Sequence, residues 1–95
     1  MSKQIHDVQS KIIPILKRHQ VIRAGLFGSL VRDEMRQGSD IDILIELPAD
    51  QSLFDLVSLK LDLEDSLNHT VDLVEYPMLH PLLSERILQE EVKVL

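Results

Sequence analysis

Residues 21–47 read VIRAGLFGSLVRDEMRQGSDIDILIEL, and the reading of this stretch decides the fold. Val21 to Phe27 is short and apolar apart from Arg23, which predicts a strand, and Gly28-Ser29 ends it in a sharp turn. Ser29 is a natural N-cap, so Leu30 to Arg36 is expected to form a short helix that closes at Gly38. From Asp40 to Leu47 the residues alternate. Ile41, Ile43, Ile45 and Leu47 point one way and Asp40, Asp42, Leu44 and Glu46 the other, the period of a half-buried strand. A bare carboxylate in the middle of an apolar strand is costly, so Asp42 calls for a functional explanation.

Working outward, Ile5, Val8, Ile12, Ile15 and Leu16 recur at helical spacing and predict a helix from about Lys3 to His19. Pro14 should kink that helix or restart it at Ile15. Downstream, Ser52 and Asp55 form a capping box opening a helix to about Leu67, with Leu53, Leu56, Val57, Leu59, Leu63 and Leu67 as its core stripe. Thr70 to Tyr76 reads as a third strand, Pro77 to Glu91 as one helix or two, and Val92 to Leu95 as a short edge strand. The expectation is an α/β (α+β) fold in which a small mixed β-sheet has helices packed mainly on one face and the other face open.

The length of 95 residues suits a single domain spanning 1–95. With 44% hydrophobic and 27% charged residues the composition is that of a globular chain, and the absence of cysteine excludes disulfides, thiolate metal sites and cysteine nucleophiles. No apolar run approaches a membrane span and no signal-peptide stretch follows Met1, so no membrane association and a cytoplasmic location are expected. The formal net charge is −6. Residues 1–45 carry 7 basic and 5 acidic side chains and residues 46–95 carry 3 and 11. With only Phe27, Phe54 and Tyr76 as aromatics, direct nucleic-acid binding is not expected, and the acidic half suits a basic protein partner or metal ions.

Three features carry chemistry. Gly28 lets a phosphate approach the backbone, and the Ser29 hydroxyl and the amides after it favour anions. Asp40 and Asp42, two apart on a strand, share one face and can ligate hard cations, and Asp72 on the third strand could complete the cage. Oxygen donors of this kind select Mg²⁺ or Mn²⁺ over zinc. Together these residues read as metal-assisted nucleotidyl or phosphoryl transfer. Alone each has a plainer reading: a turn for Gly28-Ser29, a strand edge for Asp40, a solvent-facing strand position for Asp72. His6, His19, His69 and His80 lack metal-ligand spacing, and no P-loop is present.

The spacing Gly28-Ser29, ten residues, Asp40-Ile41-Asp42 resembles the signature of the DNA polymerase beta-like nucleotidyltransferases, in particular the minimal (MNT) group often encoded beside HEPN-domain proteins in toxin–antitoxin pairs. The resemblance implies two Mg²⁺ ions, with Mn²⁺ as an alternative, held by Asp40, Asp42 and Asp72 as the catalytic carboxylates. It also implies ATP or another nucleoside triphosphate with its phosphates on Gly28-Ser29, Asp72 assisting deprotonation of the acceptor, and AMP passing to a tyrosine hydroxyl of a HEPN partner. Ser39, directly before the paired aspartates, joins the nucleotide-binding candidates; Arg32 either approaches the triphosphate or lies on a solvated helix face. Where the family often has a small residue and Arg-Gly after Gly-Ser, this chain has Leu30, Val31, Arg32, Asp33 and Glu34, which places two acids near the phosphate entrance. A chain of this length has no room for an acceptor-binding domain, so a HEPN partner or a homo-oligomer must supply that site. The competing reading is an antitoxin that neutralises its partner by binding alone; a small-molecule nucleotidyltransferase is disfavoured by the same missing acceptor domain.

Overall fold

The computed structural model describes residues 3–36, 38–76 and 81–95. Helix α1 spans Lys3–Arg18 and buries the apolar positions expected of it, Ile5, Val8, Ile12, Ile15 and Leu16. Pro14 neither breaks nor restarts it. The ring lies on the exposed side, where water can serve the carbonyl that loses its amide partner. Strand β1 is Arg23–Phe27, shorter at its start than the sequence suggests, with Ile22 leading in through its amide to the Glu46 carbonyl at 2.9 Å.

The strongest departure follows β1. No helix runs from Leu30 to Arg36; a single 3₁₀ turn, Gly28–Leu30, gives way to an irregular turn. Asp33 adopts a left-handed φ of 59° there, and the Glu34 amide bonds to the Ser29 carbonyl at 2.8 Å, a spacing no α-helix uses. Ser29 is consequently not an N-cap: its hydroxyl donates to the Met35 sulfur at 3.3 Å.

Strand β2 (Ile41–Glu46) pairs antiparallel with β1, setting Phe27 opposite Asp42 and Gly25 opposite Leu44. Helix α2 (Leu53–Leu67) opens with the expected capping box, in which Ser52 accepts from the Asp55 amide and Asp55 accepts from the Ser52 amide. Its core stripe is narrower than the sequence implies. Leu59, Leu63 and Leu67 are buried and Leu56 is half-buried, but Leu53 is 74% exposed and Val57 is exposed, beside Phe54 at 86% and Leu61. The helix turns Leu59 and Leu63 into the core, and Asp62 meets His19, the residue after α1, at 2.7 Å.

Asn68 ends α2 in a left-handed conformation, and Glu64 takes the Val71 amide at 2.9 Å, which ties the helix to β3 (Val71–Glu75). That strand pairs parallel with β2 in a register that puts Asp72 beside Asp42. Helix α3 (Pro81–Glu90) and strand β4 (Val92–Lys93) follow, β4 pairing antiparallel with β1 at Gly25 and Leu26. The part of the expected last helix at residues 77–80 lies outside the described residues. Sheet order is β3-β2-β1-β4.

Helices α1 and α2 seal one face over Ala24, Leu26, Ile41, Ile43, Ile45 and Val71, all buried. The opposite face carries Phe27, Asp42, Leu44 and Asp72. It is not open as expected: Leu44 is fully buried there, and the end of α3 reaches across to the β1 turn. Among the described residues no helix is long and apolar enough to cross a membrane.

Candidate active site

Everything at the site depends on where β1 stops. Gly28 takes a φ of +77°, which other L-residues rarely adopt, and a Cβ on it would collide with the Asp42 carboxylate. The turn is therefore stacked directly on the second aspartate of the pair. Asp42 is half-buried, and desolvation, reinforced by Asp72 and then Asp40, pushes its pKa up to about 6 from 3.8, against the opposing pull of Arg32. Asp72, on the adjoining strand, is exposed.

Asp40 is brought to the same end of the sheet, where it adds to the upward push on Asp42. The Asp40 carboxylate accepts a hydrogen bond from the Thr70 hydroxyl, on the segment that leads into β3. Among the described residues no three His, Cys, Asp or Glu side chains close into a metal cage in this arrangement. The donors nonetheless suit a hard cation: they are all carboxylate oxygens, and Asp72 and Asp40 add, after burial, to the upward push on Asp42.

The nucleotide-binding candidates divide. Gly28 and Ser29 lie in the turn beside Asp42. Ser39 is engaged locally, its Oγ accepting the Arg36 amide at 2.9 Å. Arg32 lies on no helix face. Its guanidinium bonds to Glu90 at 2.8 Å and pairs with Glu34 at 3.3 Å, near enough to Asp42 to pull its pKa down. Of the two acids expected at the phosphate entrance, Glu34 thus shares Arg32 with Glu90 in an exposed pair.

Sequence reasoning missed Glu90. Its Oε1 accepts both the Arg32 bond and the Gly28 amide, the latter at 2.9 Å. A cleft of about 330 Å³ lies between Gly28, Arg32 and Asp42 on one side and Arg86, Ile87 and Glu90 on the other. A slightly larger hollow of about 370 Å³, at Pro48, Leu53 and Glu75, contains none of the paired aspartates or the Gly-Ser turn. The smaller one holds Gly28 and Asp42.

Beside the cleft, Glu91 lies against Gly25, where any Cβ would strike it. It accepts the Tyr76 hydroxyl, and Arg23 stacks 3.9 Å above the Tyr76 ring centroid. Burial, then the bond to Glu91, raises the Tyr76 pKa, so the phenol stays protonated.

The Gly28 turn faces the strand-borne Asp42 on a mixed sheet, and the family model described as polymerase beta, nucleotidyltransferase, matches residues 10–95. The chain belongs to that nucleotidyltransferase family. It is 52% identical over 91 residues to the Methanocaldococcus jannaschii protein MJ0435, covering 96% of this chain and 98% of that one; the name of MJ0435 provisionally ascribes protein adenylyltransferase activity to it. A solved structure provisionally described as a minimal nucleotidyltransferase superposes with a TM-score of 0.81 at 34% identity, over 93% of this chain and 90% of that one. A chain from the structure of the tri-AMPylated Shewanella oneidensis HEPN toxin in complex with MNT antitoxin shares the fold, with a TM-score of 0.72 at 22% identity over 95% and 71% of the two chains.

Proposed function

We propose that the chain transfers AMP from ATP to a hydroxyl of a HEPN-domain partner, a tyrosine by preference, and acts in the cytoplasm as the antitoxin of that pair. The observation that carries this reading is the stacking of the Gly28 turn on Asp42, which joins a glycine backbone that a phosphate could approach and the Asp42 carboxylate in one cleft. The name of MJ0435 supports adenylyl transfer, and the AMPylated toxin bound to an MNT antitoxin supports the partner class.

Asp40, Asp42 and Asp72 would hold two Mg²⁺ ions, or Mn²⁺, with Asp40 turning away from Thr70 to do so. Bound there, the ions would neutralise phosphate charge and favour in-line displacement at the α-phosphorus. The Gly28 and Ser29 amides, with the Ser29 hydroxyl, would orient the phosphates, and Arg32 would steady their outer oxygens. The acceptor oxygen forms a bond to the α-phosphorus as the bond from that phosphorus to the bridging oxygen breaks, and pyrophosphate leaves. Asp72, the more exposed of the facing aspartates, would take the hydroxyl proton.

A second reading, neutralisation by binding alone, is favoured by one observation: the Gly28 amide and Arg32 are both already held by Glu90. Incubation of the chain and its co-purified partner with α-labelled ATP and Mg²⁺ separates the two. Label on the partner, lost in Asp42→Asn, is expected. Stable complex formation with no label would establish the binding-only reading.

A further inference from the structure

Glu90 and Glu91 end α3 and lead into β4, and both are pinned against the site face of the sheet. Val92 and Lys93 pair with Leu26 and Gly25 of β1, and Glu91 is wedged over Gly25 with the Tyr76 hydroxyl bonded to it. This anchorage fixes the preceding residue. The Glu90 side chain is only 17% exposed, and its Oε1 takes two donors at once, the Gly28 amide at 2.9 Å and the Arg32 guanidinium at 2.8 Å. One anionic oxygen held by a backbone amide and a guanidinium is what a phosphate oxygen would present at the same place. The acid also has an unfavourable neighbour: Asp42 lines the same cleft, with Arg86 and Arg32, and Glu90 adds to the upward push on Asp42.

We propose that Glu90 is an internal competitor for the phosphate chain and so determines both the affinity and the selectivity of the nucleotide site. This rests on the reading of the Gly28-Ser29 turn as the phosphate site. Without nucleotide, Glu90 holds the amide and Arg32 in place and occupies the position a phosphate oxygen would take. A nucleotide binds by displacing Glu90 from both donors at once. A triphosphate bringing its divalent cation can do this, since the cation also neutralises the carboxylates that Glu90 faces. A monophosphate gains too little charge to compete. A cradle occupied about 90% of the time by Glu90 would weaken apparent affinity roughly tenfold.

The test is calorimetric titration of the full chain with the Mg²⁺ complex of a non-hydrolysable ATP analogue, and separately with AMP. The proteins are the parent, Glu90→Gln, which keeps the side-chain shape without the charge, and Glu90→Ala; melting curves establish that each is folded. The Gly28 amide resonance, followed by NMR, gives a readout independent of heat. Both variants should bind the triphosphate analogue about tenfold more tightly or better. Their preference for it over AMP should narrow, and their Gly28 amide should be shifted before any nucleotide is added. Binding by the parent with equal or weaker binding by both variants overturns the competitor role and leaves the phosphate site standing. No binding and no Gly28 shift with the analogue in any of the three proteins overturns the phosphate-site reading, and the competitor role falls with it.

Discussion

Asp42 is ionised at neutral pH at a cost to the fold. Its pKa rises to about 6 in the folded chain from 3.8, so below pH 3.8 it is protonated in both states and costs nothing. Between those values the unfolded chain ionises first and stability falls as pH rises; above about 6 the full cost is present. Asp42→Asn should therefore stabilise the chain in EDTA at pH 7 to 8 by about 1 kcal/mol, after discounting for solvent screening of a half-exposed group, and the gain should vanish below pH 4. Melting curves across that range check it; a gain that persists at pH 4 would mean the charge is not its source. At this scale the sequence was legible where chemistry and spacing coincide. Gly28, Asp42 and Asp72 meet as their strand positions imply, because alternation and register are short-range properties. Glu90 was not legible, since its bonds to Gly28 and Arg32 span 62 and 58 residues and no local pattern marks them.

The elements followed their apolar periods, and the errors have physical causes. Strands β1, β2 and β3 and helices α1 and α2 form where alternation, helical spacing and a capping box direct them. The segment from Leu30 to Arg36 carries helix-forming residues, yet Met35 and the Ser29 hydroxyl meet in an irregular turn that packs Leu30 into the core. Tertiary packing there outweighs intrinsic propensity. On α2 the apolar stripe is wider than the surface it covers. Leu59→Ala, in the buried row, should cost about 2–5 kcal/mol, whereas Phe54→Ala should stay within about 0.5 kcal/mol of the parent. Chemical denaturation of the two variants checks the assignment, and comparable losses would contradict the exposure of Phe54. The face of Leu53, Phe54, Val57 and Leu61 gives the chain more exposed apolar surface than its own fold requires.

Across the whole molecule, charge and topology act together. The β2-α2-β3 crossover makes β2 and β3 parallel neighbours, which is why aspartates 30 residues apart in sequence adjoin in the sheet. The antiparallel β1-β2 pair then lays the Gly28 turn on Asp42, and β4 returns the chain to β1 so that an acid-rich end closes over the same face. The result is a cleft in which Asp42 and Glu90 face Arg32 and Arg86, with Asp72 beside Asp42 on the next strand; under the proposed function a divalent ion would offset the charge of the aspartates. Calorimetric titration of the parent, Asp42→Asn and Asp72→Asn with Mg²⁺, alone and with ATP, tests this account most directly. It predicts divalent-cation binding by the parent, loss of that binding in Asp42→Asn and weakening in Asp72→Asn, and Mg²⁺-ATP binding that fails in the same order. Mg²⁺ and Mg²⁺-ATP binding unchanged in Asp42→Asn would contradict it.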